Sequence, residues 1–330
     1  MIRCLSFGSF LFLTLIFILP VKVIATSCAY ITNFAEGDGT VSVIDTTKDV
    51  VVRTIKVGGR PRGIAAHGSH LYVALSDTDR ERKGAQDAIV VADAGGAVIR
   101  RLEGGTDPER FVLSPDGKRL FAANEDAGTA TVTDLTSNKV LATLVVGVEP
   151  EGVAISPDGR FVYVTAETSN TVSVIDTAKL KVIASFLVDP RPRDAVFSPD
   201  GTRAYVSAEI GGTVAVVDVK RHRVIDTLEL PSPAKPVGLA ISPDNRMLYV
   251  ANGHANSISC VDTGRLKIVA TIPVGTRPWG IALTADGRKL YTANGVSGDT
   301  SVIDTAARRE LKRIPTGRGS WGVAISSLPR

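Results

Sequence analysis

Residues 150–188 read PEGVAISPDGRFVYVTAETSNTVSVIDTAKLKVIASFLV. Four strands are legible in this stretch. GVAIS is short and built from small residues, and SPDG puts Pro and Gly at the second and fourth places of a type I turn. RFVYVTAE alternates with period two, as a half-buried strand does. TSN leads into TVSVID, where Val172 and Val174 share a face. TAKL makes another turn, and KVIASFLV is the fourth strand.

The unit recurs along the chain. The V-x-D end of the third strand returns at Asp45, Asp93, Asp134, Asp176, Asp218, Asp262 and Asp304. The Pro opening the first strand returns at Pro61, Pro108, Pro150, Pro192, Pro236 and Pro278, with Ser320 in the seventh place. The aromatic of the second strand returns at Tyr30, Tyr72, Phe121, Tyr163, Tyr205, Tyr249 and Tyr291. Four strands per period of roughly 40–45 residues predict an all-β fold, a seven-bladed β-propeller with four antiparallel strands per blade. Tyr30-Ile-Thr-Asn is a second strand and WGVAIS, 321–326, is a first strand. The last blade is therefore expected to join three N-terminal strands to one C-terminal strand, closing the ring and removing open edges.

Outside this array, Arg3 precedes the apolar run LSFGSFLFLTLIFILPVKVIA. A basic start, an apolar middle and the small-residue end predict a signal peptide at 1–25. The propeller then fills 26–330, in a periplasmic protein; lipid anchoring at Cys28 is the weaker alternative. The net charge of +4 includes Arg3 and Lys22, so the mature chain is close to neutral and its basicity is no argument for nucleic acid. Cys28 and Cys260 lie far apart in the array and are expected to be buried, unbridged thiols.

YVTAETSNTVSVIDTAKLKVIASFLV and YVANGHANSISCVDTGRLKIVATIPVGTRPWGIAL resemble the YVTN-type β-propeller repeat over the whole mature chain. GTDPERFVLSPDGKRLFAANED, VGVEPEGVAISPDG, SAEIGGTVAVVDV and TANGVSGDTSVIDT resemble one subgroup, the exported propellers associated with catabolism dependent on pyrroloquinoline quinone (PQQ). That resemblance implies a periplasmic setting beside PQQ-dependent alcohol oxidation. The insertion DTDRERKGAQD at 77–87 and Ser320 depart from the pattern.

The Pro positions are predicted to ring one mouth of the central channel. The residues beside them do not repeat: Arg60 and Arg62; Asp107, Glu109 and Arg110; Glu149 and Glu151; Arg191, Arg193 and Asp194; Lys235; Arg277 and Trp279; then Trp321. Arg grips carboxylate or phosphate bidentately, and Trp offers a flat apolar wall. This mouth is the expected binding site for a partner protein or a small anionic metabolite. Neutralising Arg62, Arg193 and Arg277 is expected to weaken binding without unfolding the ring. Glu125, Glu167 and Glu209 follow the second strand in consecutive blades, on the same face. They read as a secondary acidic arc of solvated loop acids, since no D-x-D-x-D-G loop accompanies them, and no metal site is assigned.

No H-E-x-x-H or G-x-S-x-G occurs, His67 and His70 flank one turn while His222 and His254 fall in other loops, and no catalytic residue is assigned. With two Trp and no Cys-Cys, the chain is not expected to carry PQQ or another cofactor. The principal reading is a monomeric binding or interaction propeller serving PQQ-dependent alcohol catabolism. Its alternatives are a lactonase-like propeller hydrolase, with Glu109, Glu149 and Glu151 as the available bases, and a single-stranded nucleic-acid binder, whose phosphates those acids would repel.

Overall fold

A computed structural model describes residues 27–34, 39–76, 87–102 and 105–326. The signal-peptide reading at 1–25 and nearly all of the 77–87 insertion lie outside these residues. The described residues form seven four-stranded antiparallel sheets. Blade four is typical: Pro150–Ile155, Phe161–Ala166, Thr171–Asp176 and Lys181–Leu187, in that order from the axis outward. Blade one joins Ser320–Ser326 to Cys28–Asn33, Thr40–Asp45 and Val50–Lys56, so the ring closes as the register of the termini predicts. Each first strand touches the first strands on both sides, and the core lies between the blades rather than around a single centre.

Small residues in the first strands have a steric cause. Two residues after the Pro position stand Gly63, Gly152, Gly238, Gly280 and Gly322. A Cβ on Gly238 would lie 2.2 Å from the carbonyl oxygen of Trp279, and one on Gly280 would lie 2.5 Å from that of Trp321. The blades meet backbone to backbone at this level, so a side chain there must leave the interface.

The turns are satisfied locally. In SPDG at 156–159, Ser156 Oγ donates to Asp158 Oδ1 at 2.6 Å, and Gly159 N–H closes the turn on the Ser156 carbonyl at 2.8 Å. Ser320 replaces the seventh Pro and is buried; its hydroxyl lies 2.9 Å from Asn33 Oδ1 and 2.8 Å from the Gly317 carbonyl, tying the last strand to blade one. Cys28 opens its strand, and both it and Cys260 are buried and outside any disulfide. Among the described residues, no helix is long and apolar enough to cross a membrane.

A chain ending at Arg318 lacks the strand Ser320–Ser326 and leaves Cys28–Asn33 as an open edge. Size-exclusion chromatography and thermal melting should show self-association and a loss of the cooperative transition; a monomer with an unchanged melt would mean that the velcro strand does not hold the ring.

Candidate functional site: the channel mouth

The mouth is built from two repeated backbone devices. First, the residue before Pro takes a left-handed conformation in five blades: Asp107 (φ 51°), Glu149 (55°), Arg191 (64°), Lys235 (52°) and Arg277 (59°). Its carbonyl accepts the N–H of the residue that follows the second strand, as Glu149 does from Glu167 at 2.9 Å and Arg191 from Glu209 at 2.8 Å. This clasp draws the acidic arc against the Pro-flanking ring. Second, the register of the first strand shifts just after the Pro, between Pro150 and Val153 and at the same place in other blades. A bulge of this kind re-aims side chains. It frees Glu109, Glu151, Arg193, Trp279 and Trp321 from the regular inter-blade alternation.

The side chains so released converge on two charge clusters. In the first, Arg193 is buried and bonds three carboxylates, Glu151, Glu167 and Glu209, with Nε to Glu209 at 2.6 Å. Arg191 Nε reaches Glu167 at 2.7 Å, and Arg277 Nη2 reaches Glu209 at 2.8 Å. Arg277 belongs to blade seven and crosses blade six to do so. It can because blade six carries Gly253 where blades three to five carry Glu; a Cβ there would lie 3.1 Å from Arg277 Nη1. In the second cluster, Arg62 Nη2 lies 3.1 Å from buried Glu109. Carboxylate oxygens of Asp107, Glu109 and Glu125 all lie within 4.8 Å of one another. Ser76 donates to Asp107, and Arg62 supplies the positive charge beside the trio.

The acid arc is therefore not a set of solvated loop acids: Glu167 and Glu209 are buried and Glu125 is half-buried. Nor is the mouth a ring of surface ion pairs. Removing one partner of a buried pair leaves an uncompensated charge. For the same reason the combined loss of Arg62, Arg193 and Arg277 would destabilise the fold as well as the site, contrary to the expectation from sequence. Glu149 stays exposed and accepts from Thr168 Oγ1, while half-buried Lys235 makes no ion pair among the described residues.

Crowding sets the protonation states. Burial, then the neighbouring Glu151, pushes the Glu167 carboxyl up to about 9; at Glu151 and Glu209 burial also acts to raise the carboxyl, but Arg193 together with Arg110 at the one and Arg277 at the other holds both below the usual range. Burial pushes Glu109 up to about 8 despite Arg62, with Glu151, Glu125 and Asp107 adding to the rise. Glu125 is raised by burial and by Asp107 and Glu151. Like charges packed this closely do not all ionise together.

Aromatic rings floor the other half of the mouth. Trp279 and Trp321 lie nearly parallel, 25° apart with centroids at 6.4 Å. Arg277 and Arg193 cover Trp279 at 4.4 and 5.6 Å, and Arg110 and Arg62 cover Trp321 at 4.7 and 5.4 Å. Arg60 lies over Phe34 at 4.7 Å. Phe34 holds the position that Glu125, Glu167 and Glu209 hold elsewhere, and its role escaped the sequence reading.

Below the mouth, Arg110 Nη1 bonds Asp194 Oδ2 at 3.2 Å across the channel. Asp194 is buried and also accepts from Leu239 N at 3.0 Å and Ala195 N at 2.9 Å. Arg110 and Asp194 occupy the position that is Gly in the other five blades. Two exceptions of opposite sign at one repeat position were a signal of contact that comparison of the repeats alone could have found.

The model of the seven-bladed beta-propeller lactonases matches residues 177–315, and that of the cytochrome D1 heme domain matches residues 86–196. Among curated proteins none matches the chain. Solved structures do. Hydrazine synthase of Kuenenia stuttgartiensis aligns with a TM-score of 0.73 at 23% identity, over 81% of this chain and 90% of that one. A candidate 6-phosphogluconolactonase of Bacteroides fragilis aligns at 0.74 and 19%, over 93% and 99%. A functionally unknown protein of Desulfotomaculum acetoxidans aligns at 0.75 and 18%, over 90% and 98%. The shared fold is the seven-bladed propeller.

Two measurements probe the mouth. Arg193→Ala should lower the unfolding free energy by about 3–5 kcal/mol in urea, because two buried carboxylates and the Glu167 carboxyl lose their common cation; a loss below about 1 kcal/mol would mean that they are solvated. A carboxyl with a raised folded pKa binds its proton more tightly when folded. The stability that Glu109 and Glu167 contribute is thus present below their unfolded pKa and is lost as pH rises toward about 8 and about 9. The melting temperature of the wild type should fall across pH 6–9, and the double variant E109Q/E167Q should flatten that fall. An equal slope in both would contradict the assignment.

Proposed function

We propose that the mouth is a hydrolytic site acting on a small lactone that carries a carboxylate or phosphate. The observation that carries this reading is the pair Glu109 and Glu125, two close carboxyls that both hold protons more tightly than free glutamate, beside Arg62. A pair sharing one proton offers an acid and a base at the same pH. The ionised member takes a proton from water as it attacks the ring carbonyl. Arg62 faces the developing oxyanion. The protonated member returns a proton to the departing ring oxygen, leaving a hydroxy acid. Half-exposed Arg60, held over Phe34, is placed to grip the substrate's anionic group. The match to the lactonase model and the likeness to a candidate 6-phosphogluconolactonase support this choice of reaction class.

Purified protein should hydrolyse members of a lactone panel, assayed with and without Ca²⁺. The rate should follow a bell-shaped pH profile whose alkaline limb falls near pH 8, as Glu109 loses its proton. E109Q and E125Q should each lower kcat/KM by about a hundredfold or more. Absence of hydrolysis across the panel, or activity retained in both variants, would overturn the reading.

A second reading is a non-catalytic, exported interaction module of PQQ-dependent alcohol oxidation. The repeat resemblance supports it, as does the Trp279–Trp321 stack with its arginines, a composition typical of binding hot spots. It places the mature chain in the periplasm as a monomer, with a PQQ-dependent dehydrogenase as partner. Substitution of Arg60 and Trp279 then abolishes binding while lactone assays stay blank.

A further inference from the structure

The Arg110–Asp194 pair divides the channel, and the part below it does not belong to the mouth. A cavity of about 350 Å³ runs from Arg110, Asp194 and Trp321 down to Pro157, in a turn on the opposite face. Its lining side chains are mostly apolar, Ile64, Phe111, Val112, Val196, Phe197 and Leu239 among them, and backbone polar atoms share the surface. Arg110 and Asp194 are its charged residues.

The two charges are not equally satisfied. Asp194 accepts three hydrogen bonds, from Arg110 Nη1, Leu239 N and Ala195 N. Arg110 gives one of its donors to Asp194, and its Nε is buried without a partner. The head of the cavity thus holds a guanidinium with one buried donor unpaired, beside a saturated carboxylate. A buried unpaired donor is costly, and an acceptor brought to it is correspondingly favoured. The guanidinium fork suits a carboxylate above other acceptors. The repeat does not require a charge here, since glycine occupies this place in five blades.

We propose that this lower channel is a second binding site, for an aliphatic monocarboxylate whose headgroup meets Arg110 and whose hydrocarbon chain lies along the first strands. The site shares Arg110 and Trp321 with the floor of the mouth, contains none of its glutamates nor Arg62, Arg193 or Arg277, and is entered from the face of the SPDG turns. It stands whether or not the mouth hydrolyses lactones.

The test uses the whole purified protein with octanoate and 1-octanol as probes, read by calorimetry and thermal shift. Wild type should bind octanoate saturably at one site, and 1-octanol at least tenfold more weakly. R110G/D194G, which gives both blades the repeat's own glycine and leaves no unpaired charge, should lose the preference for octanoate. Val112→Phe narrows the tube while keeping the pair, and should lose both probes. Lactone hydrolysis, where present, should survive in Val112→Phe. No octanoate binding to wild type, equal binding of the two probes, or undiminished octanoate binding by R110G/D194G would overturn the proposal.

Discussion

Arg193 sits buried among three carboxylates drawn from two consecutive blades, and the mouth is organised around that meeting. Coulombic attraction at short range in a poorly solvated place is strong enough to keep Glu151 and Glu209 ionised. Burial and the proximity of Glu151 leave Glu167 with its proton. The same physics works beside Arg62, where Asp107, Glu109 and Glu125 crowd together. A mouth dense in formal charge therefore carries acids of very unequal strength. Unequal carboxyls side by side are what proton-transfer chemistry needs at neutral pH.

This arrangement depends on the packing beneath it. The glycines of the first strands let blades approach at backbone distance, which brings residues of different blades within reach of one guanidinium. The bulge after each Pro turns the next side chain toward the mouth, and the clasp from the residue before Pro sets the post-strand glutamates beside it. Where one blade omits its glutamate, as blade six does at Gly253, an arginine from the next blade crosses the gap. The charge clusters of the mouth arise from these departures from the repeat, held by a scaffold that does not vary.

Ring closure, strand order and the place of the mouth were legible in the sequence, because period-two alternation, SPDG turns and the Pro marker are local signals repeated many times. The identity of the mouth residues was legible for the same reason: they are what fails to repeat. Their burial was not. Whether Glu167 is solvated or enclosed depends on Arg193, 26 residues away, and on the bulge that aims it. Phe34 was passed over because its strand also starts the chain, so its equivalence to Glu125 shows only once the ring is closed. The Arg110–Asp194 contact spans 84 residues and two blades, and it is visible beforehand only as a pair of missing glycines.

At neutral pH the mouth should hold protons on Glu109 and Glu167. Carboxyl ¹³C NMR titration of the glutamate-labelled protein reads this directly. Two glutamate resonances should have midpoints near 8 and 9, lost in E109Q and E167Q respectively, with Glu125 also above the free value and Glu151 and Glu209 below it. If every glutamate titrates below about pH 5, near the value of a free side chain, the buried clusters do not exist in solution.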